Sequence, residues 1–325
     1  MPGEYLWDRG GKPDPEVERL EHVLGRLRSD PREAPWIERP ARIRLFPARA
    51  WLPVAAAAAI VVAAGIWLAG RRPLPGWEVA SLAGAPRVGA NPLTGQGVLA
   101  VGQWLETDGE SRARITVGSI GEVEVEPSTQ LRLVEARQSN HRLALKRGAI
   151  RAFISAPPRL FFVETPSAVA VDLGCAYTLR VDEAGTGVLS VSSGWVSFQH
   201  GGRESFVPAG ASCATRPGTG PGTPYFDDST EAFRAALDRL DFEGGGGEAL
   251  AILLAESRRR DVLTFWHLLS RVDPSSRGLV FDRMAALVDV PDGVTREGAL
   301  RGDPQMLRLW WEDLGLEESG WWREP

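Results

Sequence analysis

The chain has two cysteines, four histidines and two lysines in 325 residues, and each shortage removes a class of function. His22, His141, His200 and His267 never pair at ligand spacing, and no cysteine falls in the first 50 positions. A zinc site built on Cys-x-x-Cys therefore has no ligands there, and no metal or cofactor is expected. A Gly-x-Ser-x-Gly elbow and a Gly-x-x-x-x-Gly-Lys phosphate loop are both missing, which removes the commonest nucleophile and nucleotide signatures. The four glycines 244–247 have no strand before them and no lysine after, so they read as a linker. Asp227-Asp228, Glu317-Glu318 and Arg258-Arg259-Arg260 read as charged helix ends in solvent. No catalytic residue emerges, and the chain is not expected to be an enzyme. Strong basicity is absent too: net charge is +1 over residues 1–49, +2 over 71–226 and −8 over 227–325. No nucleic-acid partner is expected.

What the sequence does have is one long uncharged run. Ala50 to Gly70 is 21 residues without a charge, bracketed by Arg49 and by Arg71-Arg72. As a helix it would reach roughly 30 Å, the thickness of bilayer hydrocarbon. No face of it carries a polar stripe, and Trp51 and Trp67 lie near the two ends, where indoles favour the interface. The run reads as one transmembrane helix, 50–70. Arg39, Arg42, Arg44 and Arg49 precede it against two arginines after it, so the N-terminus is expected in the cytoplasm and the bulk of the chain outside.

Residues 1–49 then form a short cytoplasmic helical segment and linker. Asp14-Pro15-Glu16 supplies an N-cap, an N1 proline and an early acid. Val17, Leu20, Leu24 and Leu27 follow at helical spacing, with Leu6 and Trp7 upstream as a second apolar turn. So short an amphipathic helix cannot bury its own stripe. These six residues are the expected partner-binding positions, set against a self-contained hairpin or a frayed tail.

From Trp77 to about Pro217 the period falls to two. Glu122-Val-Glu-Val-Glu alternates strictly, and Arg142-Leu-Ala-Leu-Lys and Tyr177-Thr-Leu-Arg-Val nearly so, which predicts strands with one wet face. Breakers recur mostly every 8 or 9 residues. The expected fold is mainly β plus α: an all-β domain over 71–217, either a β-solenoid, which the even spacing favours, or a sandwich.

Trp104-Leu-Glu-Thr, Ser111-Arg-Ala-Arg-Ile, Arg147-Gly-Ala-Ile-Arg-Ala, Glu164-Thr-Pro-Ser-Ala-Val-Ala-Val, Gly174-Cys-Ala-Tyr-Thr-Leu, Gly194-Trp-Val-Ser-Phe and Pro208-Ala-Gly-Ala occur in that order. In order and spacing they resemble the FecR-type periplasmic domain, over roughly residues 77–217. The resemblance implies an inner-membrane, single-pass regulator of anti-sigma type. Its partners would be a cytoplasmic regulator such as a sigma factor on one side and a periplasmic or outer-membrane protein on the other. Two features depart from the family pattern. Gly174-Cys175 stands where the family has Gly-Thr, and the cytoplasmic segment is shorter than the usual helical domain that clasps a sigma factor. Nothing after residue 217 resembles the small αβ domain that receives a transporter.

Residues 218–228, rich in glycine and proline, read as a linker, and helical periodicity returns over 229–325. Phe233, Ala236, Leu237 and Leu240 form the first of five stripes, and Met306, Leu307, Leu309 and Trp310 the last. Trp310-Trp311 and Trp321-Trp322 read as core, or, if exposed, as a contact surface. Cys175 and Cys213, the only cysteines, fall on the outer side and about four strand intervals apart, which predicts a disulfide between neighbouring coils, set against two buried thiols acting as small apolar residues. Two functions remain open. One is an envelope-signalling regulator acting on a cytoplasmic protein; the other is a membrane-anchored adaptor that binds envelope components.

Overall fold

The computed structural model describes residues 15–25 and 76–314, and the chain divides into Met1–Arg72 and Pro73–Pro325. In the first unit the described element is helix α1 (Pro15–Gly25), with Glu16 and Glu18 in its first turn. The Ala50–Gly70 run lies outside the described residues. Among the described residues no helix is long and apolar enough to cross a membrane. The fold class expected above, with its spanning helix, is corrected accordingly: the described fold is a β-rich domain followed by helices.

In the second unit the chain winds back and forth between two sheets. Strand β1 (Gly76–Ala83) lies in the first layer, and β2 (Arg87–Val88) and β3 (Asn91–Pro92) in the second. β4 (Gln96–Ala100) returns to the first and β5 (Trp104–Glu106) to the second. Hairpin β6 (Arg112–Val117) with β7 (Gly121–Val125) follows in the first layer, then β8 (Gln130–Arg137) in the second. β9 (Asn140–Ile154) belongs to both. Hairpins β10 (Phe161–Glu164) and β11 (Val169–Asp172), β12 (Ala176–Val181) and β13 (Gly187–Ser193), and β14 (Trp195–His200) and β15 (Arg203–Pro208) then alternate between the layers. β16 (Ala211–Arg216) closes the first layer with β17 (Gly220–Pro221) and β18 (Tyr225–Phe226) on its edge.

Every pairing among these strands is antiparallel except β9 with β10. The favoured solenoid is therefore replaced by a two-layer sandwich. The breaker spacing is real, but what it punctuates is hairpins laid alternately on two sheets, so neighbouring strands in a layer run in opposite directions.

β9 joins the layers. Its first half pairs with β8 (Leu133 opposite Leu143) and its second with β7 and β12 (Ile150 opposite Val125 and Leu179). Between them Gly148 takes φ +95°, and a Cβ there would come within 2.3 Å of Thr129 Oγ1. Thr129 Oγ1 also accepts the Ala149 amide at 2.9 Å. The inward residues of both layers form one core that includes Leu105, Ile115, Val123, Leu133, Leu143 and Phe198. The outer face of the first layer carries rungs such as Arg114 with Glu122 and Glu124. Exposed pairs of this kind contribute about 0–1 kcal/mol each, so the core carries the stability.

Residues 220–221 and 225–226, expected to be part of a linker, instead pair with β16, Phe226 opposite Ala211 and Pro221 opposite Thr215. Among the described residues six α-helices follow: α2 (Glu231–Phe242), α3 (Gly246–Glu256), α4 (Val262–Arg271), α5 (Arg277–Leu287), α6 (Arg296–Arg301) and α7 (Pro304–Asp313). Thr230 caps α2 by accepting the Phe233 amide, and Asp303 caps α7 ahead of an N1 proline. Their shared core holds Phe233, Leu253, Phe265, Leu269, Met284 and Trp310.

Candidate functional site

The six residues expected to bind a partner divide by position. Leu6, Trp7 and Leu27 lie outside the described residues. Val17, Leu20 and Leu24 fall on α1. Leu20, Val23 and Leu24 are 61%, 57% and 58% exposed, so this helix presents an apolar stripe with His22 in its last turn.

The two cysteines do not meet. Both are buried with free thiols. Cys175 Sγ donates to Asp172 Oδ2 at 2.8 Å, and Cys213 Sγ to the Gly222 carbonyl at 3.2 Å. Cys213 pairs with Leu189 and Leu189 with Leu179, which places the cysteines two strands and four residues apart. That is roughly 16 Å at ordinary strand spacing, well beyond the ~7 Å a disulfide tolerates. The expected bridge assumed stacked coils, and the hairpin winding removes that register. Burial pushes the Cys213 thiol up to about 12 and the Cys175 thiol further, with the Asp172 carboxylate adding to the second.

The most elaborate constellation lies where the helices meet the sandwich. Leu263, His267 and Arg271 recur every four residues on α4 and so share one face. That face covers β15, the edge strand of the second layer. His267 Nε2 accepts the Phe206 amide at 3.1 Å while Nδ1 faces the Leu263 carbonyl at 3.0 Å, an arrangement that puts the ring proton on Nδ1. Arg271 Nη2 donates to the Glu204 carbonyl at 2.7 Å and to Ser205 Oγ at 2.8 Å. Thr264 Oγ1 donates to the Pro224 carbonyl at 2.7 Å. An edge strand that would otherwise present unpaired backbone is thereby satisfied by side chains.

Aromatic rings fill the remainder of this seam. Trp311 lies 4.6 Å from Trp266, 5.4 Å from Phe206 and 5.7 Å from Trp195, centroid to centroid. Its neighbour Trp310 points into the helical core, 5.2 Å from Phe281. Both indoles are fully buried, so the core reading of this pair holds and the contact-surface reading does not; Trp321-Trp322 lies outside the described residues. Arg258 does not close a helix in solvent: it grips the buried Asp261 at 2.9 Å and Asp228 at 3.0 Å. Among the described residues no group of three or more His, Cys, Asp or Glu is placed to hold a metal ion.

Residues 103–197, most of the sandwich, match the family model described as FecR protein. No curated protein matches the chain. Two crystal structures of a candidate anti-sigma factor from Parabacteroides distasonis ATCC 8503 align at 15% identity and TM-score 0.34. They cover 40% and 41% of this chain, and the chain spans 63% of theirs.

Proposed function

We propose that this chain, with a FecR-type domain over residues 103–197, is a non-catalytic regulator of anti-sigma type. The family match over the sandwich is the observation that carries the reading. A second feature gives the regulator a contact. The apolar stripe of α1 is solvent-facing at Leu20, Val23 and Leu24, and an 11-residue helix is marginal in water without a partner surface. The partner is a transcription regulator of the sigma-factor class, which takes the stripe into an apolar groove in the helix-in-groove mode. The sandwich with its helical cap is the input side, where another envelope protein is recognised.

Affinity capture of the full-length chain tests this. The wild-type chain is expected to retain a sigma factor, and Leu20→Asp with Leu24→Asp to lose it, because each charge on the stripe would be desolvated in the groove. Equal capture by the wild type and the double variant, or capture of no transcription regulator by either, contradicts the reading.

A further inference from the structure

A cleft of about 260 Å³ opens beside the Arg271 network, between β15 and the helices. Two guanidiniums line it from different elements, Arg203 of β15 and Arg271 of α4. Arg203 Nη2 donates to Asp241 Oδ1 at 2.7 Å, while its Nε is buried with no hydrogen-bond partner. Asp241 also accepts from the Thr223 amide at 2.6 Å and from Thr223 Oγ1 at 3.0 Å. One carboxylate thus serves several donors between two arginines, within a lining of two basic and two acidic side chains. Burial, then the neighbouring Arg203, bring Arg271 down to about 10, so it is still a cation at neutral pH. The other acid lining the cleft, Asp273, is exposed.

The backbone adds a second set of donors to the same cleft. Gly245 is right-handed (φ −62°, ψ −5°) and Gly246 left-handed (φ +52°). Such an alternation can turn successive amides to one side; the Gly245 amide is taken by the Arg239 carbonyl at 2.9 Å, which leaves those of Gly246 and Gly247. Gly246 and Gly247 open the 11-residue α3, whose N-cap Gly245 offers no side chain, so the first-turn amides lack a helical acceptor. Ser276, the N-cap of α5, also lines the cleft and makes no side-chain cap bond. Glu248, in the first turn of α3, is exposed and does not line the cleft.

We infer that this cleft binds a small phosphate-type oxyanion, held between the Arg203 and Arg271 guanidiniums and the amides of Gly246 and Gly247. The volume lies below the ~300–1,000 Å³ of pockets for drug-sized ligands, which suits a small anion or monoester. The two oxygens of a carboxylate are coplanar with its carbon. A tetrahedral phosphate can face a guanidinium fork on one side and backbone amides on the other. The binding is a property of the cleft and stands whether or not the chain regulates a partner.

Calorimetric titration of the full-length chain, at constant ionic strength in chloride, tests it. Inorganic phosphate and glycerol 3-phosphate are the two probes, and the tighter one identifies the source as free phosphate or a monoester. Gly247→Glu places a carboxylate at the amides, in a position where a Cβ meets nothing within 4 Å. It is expected to weaken binding by at least about tenfold without lowering the melting temperature of the unliganded protein. Asp273→Asn, which removes a rim charge, is expected to tighten binding. Absence of saturable binding by either probe, or wild-type affinity in Gly247→Glu, overturns the inference.

Discussion

Asp172 is 2% exposed, yet its carboxylate is held by the Gly174 amide at 2.7 Å and the Cys175 thiol at 2.8 Å and by no cation. Burial wins over these bonds and raises its pKa to about 7. The folded protein therefore binds a proton that the unfolded chain, near 3.8, has already released. The stability tied to that proton is fully present below about pH 4 and is lost as pH rises to about 7. Three units correspond to a few kcal/mol, on the order of 4. Asp172→Asn keeps the shape and an acceptor but has no charge to bury. Its melting temperature should match the wild type near pH 4 and exceed it at pH 8. A difference that does not grow with pH would contradict this account of Asp172. At this scale the sequence was partly legible: Gly174-Cys175 stood out as a departure from the family pattern, but nothing in the spacing placed the thiol on a carboxylate three residues back. Likewise Arg203 and Arg271 are distant in sequence and carry no local mark of meeting. The glycines 244–247 had the composition of a linker, and the cleft that three of them line with Arg203 and Arg271 joins residues distant in sequence.

β9 shows why elements were easier to read than their arrangement. Its alternation is visible on both sides of Gly148, in Arg142-Leu-Ala-Leu-Lys and again from Ile150 to Ile154, so the strand was legible. Its crossing from one layer to the other was not: the inward set shifts from odd positions (His141, Leu143, Leu145) to even ones (Ile150, Ala152, Ile154) across Gly148, but such a one-residue shift does not name the new partner strands. Gly148→Ala puts a Cβ at positive φ and into Thr129. Strain and overpacking together should cost about 2–4 kcal/mol, read as a lower urea midpoint with unchanged slope. A midpoint within error of wild type would mean the bend is not held by this contact. The reverse error occurred at 220–226, where glycine and proline suggested a joint but short edge pairing with β16 prevailed. α4 was legible as an amphipathic stripe, whereas its second face, with His267 and Arg271, reads as polar surface until β15 lies beneath it. The pair Trp310-Trp311 serves two cores because successive helical residues diverge by about 100°.

Across the second unit, sandwich and helices share a boundary built from the Trp311 cluster and the Arg271 network, so the C-terminal helices are part of the same compact unit as the strands. The order of strands followed by helices follows from two periods in the sequence, 2 and then 3.6. The winding does not, since hairpins on alternate layers and stacked coils place breakers at the same intervals. The Ala50–Gly70 run was the loudest signal in the sequence and lies outside the described residues. The proposed function draws on the sandwich and on α1 instead. The proposed function is control of transcription through the α1 stripe. Transcript profiling of cells with and without the chain tests that most directly. A discrete set of genes should shift in expression when the chain is removed, restored by the wild-type chain and not by Leu20→Asp with Leu24→Asp at equal protein level. An unchanged transcript profile on removal, or full restoration by the double variant, would contradict it.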